Sequence, residues 1–216
     1  MKKNVDPSAT TLHGSLQLDE FIASVAGISP LLPAGGSVAA LAASLAAALG
    51  EMMSGVTEGR EKFAAVDLQV REIHAKLSRL RGGLRNLVQE DAEAFGSVMA
   101  AIKLPKDTEE LKIARAEAVE KALRAATETP LRIARASGEI MELLQVLVQV
   151  GNPNARCDAA VGVQMAFASL KGAQYNVLAN IKRLKDKEFA GNCRTEVMEL
   201  VQRGWIILQQ VDMALT

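Results

Sequence analysis

The chain has 216 residues, 49% of them hydrophobic and 23% charged, which suits one sizeable globular domain. Its 25 basic residues balance 25 acidic ones and only 3% of residues are aromatic, so neither the basic footprint nor the stacking platforms of a nucleic-acid binder are present. Two separated cysteines, Cys157 and Cys193, and two separated histidines, His13 and His74, supply no zinc-ligand spacing, so no metal is expected.

Residues 1–15 read as a polar N-terminal tail without the apolar core of a signal peptide, and cytoplasmic residence is the expectation. A short helix is expected over Leu16 to Ala26, packing Leu18, Phe21, Ile22 and Val25 on one side and ended by Gly27 and the Pro30 to Pro33 turn. Pro33-Ala34-Gly35-Gly36-Ser37 then precedes an alanine-dense run to Leu49. Ser37 reads as a helix cap, and Gly35 and Gly36 let backbone amides approach an anion or carbonyl at the positive helix end; the alternative is a tight turn. Because Ser44, Gly50 and Glu51 interrupt the run and Ala contributes little transfer energy, a buried central helix is expected rather than a membrane span.

From Val70 through Ile73, Leu77, Leu80 and Leu84 to Leu87, and again from Phe95 through Val98 to Ile102, apolar residues recur every three or four positions, the seam of a long bundle helix. Asp91 falls on that seam. A carboxylate there is desolvated unless paired, which raises its pKa toward the range useful for proton transfer; the alternative is a structural aspartate satisfied by a partner. Gly82-Gly83 costs the helix about 1 kcal/mol per glycine against Ala, so a close neighbour is expected there. His74, beside the seam, reads as structural, and Lys76, Arg79, Arg81 and Arg85 as a solvated face.

Asp107-Thr108-Glu109-Glu110 opens the next helix, which Pro130 should kink or split. Another helix enters at Asn152-Pro153-Asn154 and runs to about Lys182. Asp158, Gly162, Met165, Ser169, Gly172, Asn176 and Asn180 form one stripe on it, with small residues that admit either a neighbouring helix or a flat ligand. The rise of 1.5 Å per residue separates Asp158 from Asn176 by roughly 27 Å, so within one subunit they serve different places. A last helix starts near Asp186 and keeps apolar spacing to Leu215. With no period-two alternation, residues 16–216 are expected to form a single all-α domain of five or six long helices, pairing as a homodimer.

Four ordered segments resemble the cyclodeaminase domain of formiminotransferase-cyclodeaminase and the related bacterial methenyltetrahydrofolate cyclohydrolases. They are Pro33 to Ala40; Thr57-Glu58-Gly59-Arg60; Asp91 to Phe95 with Ala101 to Lys106; and Gly151 through Asp158 to Tyr175-Asn176-Val177-Leu178-Ala179-Asn180. The resemblance implies an oligomeric enzyme of one-carbon folate metabolism, with a tetrahydrofolate derivative as substrate and no prosthetic group. On that footing Asp91 or Asp158 is the expected acid/base, and Gly35, Gly36 and Ser37 orient the substrate. Asn152, Asn176 and Asn180 would meet the pterin edge, and Arg60 and Lys106 the anionic tail. The expected reaction is cyclodeamination of 5-formiminotetrahydrofolate to the 5,10-methenyl form. Hydrolysis of that form to 10-formyltetrahydrofolate is the alternative, and a non-catalytic folate-binding or dimerising bundle the second. Ala34, where the family has a third glycine, and Cys157, where it commonly has a small residue or serine, are departures from the family pattern that keep the non-catalytic alternative open, and Ala34, by narrowing the loop, bears on substrate preference.

Overall fold

A computed structural model describes residues 17–28 and 33–215; the N-terminal tail and most of the Pro30 to Pro33 turn lie outside the described residues. Among the described residues six helices follow in order: α1 (Leu18–Ala26), α2 (Gly35–Gly55), α3 (Asp67–Ile102), α4 (Glu109–Val150), α5 (Arg156–Ile181) and α6 (Lys187–Leu215), with 3-10 turns at Glu61–Val66 and Pro153–Ala155. No strand occurs among the described residues.

The core forms where alanine lets backbones approach. Ala39, Ala40, Ala43, Ala46 and Ala47 bring one face of α2 against α3, α4 and α5, while Val38, Leu45 and Met52 leave its other face exposed, so the alanine-dense helix is half-buried rather than central. By length and composition alone α2 would span a bilayer, but half of its apolar window is buried inside the protein. Leu144 and Leu147 of α4 and Val70, Leu77 and Leu84 of α3 supply the bulk. Each fully buried Leu stabilises the fold by about 1.5–3 kcal/mol through area removed from water.

The stripe on α5 is used for this packing. The Ser169 hydroxyl donates to the Ala39 carbonyl at 2.7 Å and shares a hydrogen bond with Ser137 of α4 at 2.9 Å. A Cβ on Gly162 would sit 3.3 Å from the Ala46 carbonyl oxygen, and one on Gly172 would sit 3.4 Å from Ala39 Cβ. The small residues therefore admit a helix, α2.

Four local expectations are corrected. Pro130 does not split α4, which runs unbroken for 42 residues. The proline removes the amide that would serve the Ala126 carbonyl, and the Asn180 side-chain amide donates there instead at 2.6 Å. Gly82 and Gly83 have no close neighbour: a Cβ on either meets nothing within 4 Å. On α1 only Phe21 is buried, while Leu18, Ile22 and Val25 stay exposed. Ser37 is not the cap of α2; Ala34 is the N-cap residue and Ser37 lies inside the first turn, fully buried. Thr108 does cap α4, accepting from the Leu111 amide at 3.3 Å.

Candidate active site

The first turn of α2 packs against α3 at Asp91. The Ser37 hydroxyl lies 3.0 Å from Asp91 Oδ2 and 3.0 Å from the Val88 carbonyl oxygen, and the Ser37 backbone amide also donates to the Asp91 carboxylate. Asp91 thus supplies from a neighbouring helix the acceptor that a capping side chain would supply from within α2, at the helix end where the dipole favours negative charge. One hydroxyl proton faces two acceptors. When Asp91 is protonated, its own O–H can donate to Ser37 Oγ while Ser37 donates to Val88, so the pair is satisfied in both states.

Gly36 makes this approach possible. A Cβ there would fall 2.0 Å from Asp91 Oδ1 and 2.5 Å from Cγ, far inside contact distance. Gly35 is exposed at the helix start, where its own Cβ would stand 3.9 Å from Asn176 Nδ2.

Burial raises the Asp91 carboxyl above its ordinary range; the hydrogen bonds from Ser37 offset part of that rise. No arginine or lysine is among the groups that shift it. Asp91 opens onto a cavity of ≈ 90 Å³. Ala94, Phe95 and Val98 of α3 form its apolar side, Ala34 and Gly36 its α2 side, and Ala126 of α4 with Asn176, Asn180 and Arg183 the opposite side. The Asn176 amide donates to the Gly172 carbonyl at 2.9 Å, one turn back on its own helix.

Of the residues singled out in the sequence, Gly35, Gly36, Ser37, Asp91, Asn176 and Asn180 are gathered at this end. Arg60, Asn152 and Asp158 belong to the other. Asn152 bonds across to the C-terminal end of α2, its backbone amide donating to Thr57 Oγ1 at 3.0 Å and its side chain to the Val56 carbonyl at 3.1 Å, while its Oδ1 accepts from the Asn154 amide at 3.1 Å. Arg60 is exposed just beyond α2 and Asp158 is exposed in the first turn of α5. The 21 residues of α2 separate the two ends by roughly 30 Å at 1.5 Å per residue. Lys106 is exposed in the α3–α4 connection and does not line the cavity. Phe95 and Arg183 are wall residues that sequence pattern does not reveal. Phe95 fits the apolar seam of α3, and Arg183 lies three residues beyond the end of the α5 stripe, where a break in helical phase hides it.

The sequence profile of the formiminotransferase-cyclodeaminase family matches residues 17–199. A methenyltetrahydrofolate cyclohydrolase from Methylorubrum extorquens is 37% identical over 200 residues, 93% of this chain and 96% of that protein. A formimidoyltransferase-cyclodeaminase from Rattus norvegicus is 35% identical over 92% of this chain, which spans only 36% of that longer protein. The crystal structure of a formiminotetrahydrofolate cyclodeaminase from Thermotoga maritima superposes with a TM-score of 0.84 at 28% identity, covering 93% of this chain and 96% of the other. With its six-helix bundle and its profile match over most of its length, this chain belongs to the formiminotransferase-cyclodeaminase family.

Proposed function

We propose that the chain is a formiminotetrahydrofolate cyclodeaminase that uses Asp91 to move the proton. The observation that carries this reading is a carboxylate raised by burial, held by Ser37 at the α2 N-terminus and open to a cavity. In 5-formiminotetrahydrofolate, with the formimino group protonated as an amidinium cation, N10 attacks the formimino carbon and the N10 proton passes to the Asp91 carboxylate. The tetrahedral carbon then carries N5, N10 and an amino group. Asp91 returns the proton to that amino group, the carbon–nitrogen bond breaks, ammonia leaves, and the positive charge resides on the 5,10-methenyl bridge. A carboxylate whose pKa is raised toward neutrality both accepts and returns a proton readily, and its charge opposes the cation that forms. Asn176, beside Gly35 and on the cavity wall, is the candidate for the pterin edge.

The identity to a cyclohydrolase over nearly its whole length favours a second reading on the same site. There water adds to the methenyl carbon and Asp91 takes one water proton; N5 receives that proton as its bond to the carbon breaks, and the remaining hydroxyl proton passes to the Asp91 carboxylate as the formyl C=O of 10-formyltetrahydrofolate forms. Incubating the protein separately with the formimino and methenyl folates and following the methenyl chromophore distinguishes them: absorbance appears in the first case and disappears in the second. No change with either folate would leave the non-catalytic bundle.

The outward faces of α2 and α5 support a homodimer. Val38, Leu45 and Met52 recur at seven-residue spacing and are exposed, as are Val161 and Tyr175 on the adjacent α5. An antiparallel partner on this face would carry its own Arg60 and Asp158 end toward the Asp91 cavity.

A further inference from the structure

Among the described residues, Arg183 is the one cation on the lining of the Asp91 cavity. It is exposed, and among the described residues its guanidinium makes no hydrogen bond or ion pair. Its backbone is nevertheless well held. The Arg183 amide donates to the Asn180 carbonyl at 3.1 Å, the next side chain, Leu184, is 1% exposed, and Glu120 of α4 accepts from the amides of Lys185 at 3.0 Å and Asp186 at 3.1 Å. An unspent guanidinium on a fixed turn is placed to bind something from outside, because little backbone ordering remains to oppose binding.

Its position relative to Asp91 narrows what that is. Both line the cavity, but Arg183 is exposed where Asp91 is half-buried, so Arg183 belongs to the rim of the cavity rather than to its floor. The cavity, at ≈ 90 Å³, is far smaller than the roughly 300–1,000 Å³ that encloses a drug-sized ligand, so it takes only the reacting edge of a folate. The rest of the molecule must cross the rim, and it ends in the two carboxylates of the glutamate. The opposite rim, from Ala94, Phe95 and Val98, is apolar and offers those carboxylates no partner. We infer that Arg183 is the specificity-determining anchor for the carboxylate tail, pairing with it in the planar two-point geometry that guanidinium and carboxylate share. This deepens the folate reading and rests on it. Arg60 and Lys106, the cations that sequence pattern offers for the same task, do not line this cavity.

The test compares binding of tetrahydrofolate with that of its diamide, in which both tail carboxylates are carboxamides, to wild type, Arg183→Gln and Arg183→Lys. Wild type is expected to prefer the carboxylate form about tenfold, the gain of one charge-assisted pair at a half-open rim. Arg183→Gln should erase the preference by weakening tetrahydrofolate alone, and Arg183→Lys should keep part of it. If Arg183→Gln weakens both ligands equally, or neither, the anchor is wrong. The enzymatic reading fails separately: wild type that binds tetrahydrofolate with the carboxylate preference yet leaves both the formimino and methenyl forms unchanged removes the reaction and leaves the anchor standing.

Discussion

Gly36 of α2 and Asp91 of α3 occupy one volume: the carboxylate oxygen lies 2.0 Å from where a Cβ on residue 36 would be. The glycine is thus the reason a carboxylate can reach the Ser37 amide and hydroxyl. Gly36→Ala is expected to expel Asp91 from this place, lowering turnover at least as severely as loss of the carboxylate, about 10²-fold or more. Because the Asp91 side chain is part-exposed and can rotate outward, the fold should persist. Far-ultraviolet circular dichroism with single-turnover rates on the same sample checks this; native turnover in the folded variant would show that the close approach is dispensable.

The Asn180 amide occupies the place of the hydrogen bond that Pro130 cannot make. Asn180→Ala leaves the Ala126 carbonyl without a donor at a part-buried position and should cost about 1–3 kcal/mol in urea unfolding. In a Pro130→Ala background the helix supplies its own amide, so the same Asn180→Ala change should cost distinctly less. Equal costs in the two backgrounds would show that the two residues act independently.

Much of this architecture is legible in the sequence, for identifiable reasons. The α3 seam is periodic enough that one carboxylate out of place, Asp91, stands out by pattern alone. Its pairing with Ser37 is not legible, since the two are 54 positions apart and nothing local links them. Ser37 has the sequence signature of a cap because capping is a local rule, whereas here the acceptor comes from another helix. The same limit hides the role of Asn180, whose partner carbonyl is 54 residues away, and the continuity of α4 through Pro130. The separation of Asp158 from Asn176 is legible, because the rise of a helix alone fixes it.

If the outward face of α2 and α5 carries the dimer, Leu45→Arg should convert the species seen by sedimentation equilibrium from dimer to monomer while the helical signal stays intact. A buried charge opposite itself across a twofold contact has no partner. A wild-type monomer at micromolar concentration, or a dimer undisturbed by this change, would place the subunit contact elsewhere or remove it.

The raised carboxyl has a consequence for stability. From its ordinary value near 3.8 up to its raised native value, Asp91 binds more protons in the folded than in the unfolded protein. Stability from this group is therefore complete below the ordinary value, falls as pH rises through the native pKa, and is level above it. Asp91→Asn removes that dependence. The melting temperature of Asp91→Asn relative to wild type should accordingly rise between pH 4 and the native pKa and then stay constant. A melting temperature of Asp91→Asn that falls relative to wild type as pH rises would mean that the carboxylate is stabilised, not strained, by its surroundings.

The same substitution decides the chemistry. Asparagine keeps the shape of Asp91 and an oxygen for the Ser37 amide and hydroxyl, but it cannot take the N10 proton or return it to the departing nitrogen. A proton-transfer role predicts a fall of about 10²- to 10⁴-fold in turnover. Loss of a buried carboxylate paired to a cation would instead cost roughly 3–5 kcal/mol of stability. The surroundings of Asp91 favour the first outcome, since the partner is the neutral Ser37 and no cation shifts the carboxyl. Activity should therefore collapse in a protein that still melts near the wild-type temperature. The wild-type rate should also rise with pH as Asp91 ionises, at a pKa above the ordinary carboxylate value, and the residual Asp91→Asn rate should lack that limb. A folded Asp91→Asn protein with near-native turnover, or one retaining the same acidic limb, would move proton transfer to another group. Asp158, exposed at the far end of the bundle, could then serve only if a second subunit brought it to the cavity.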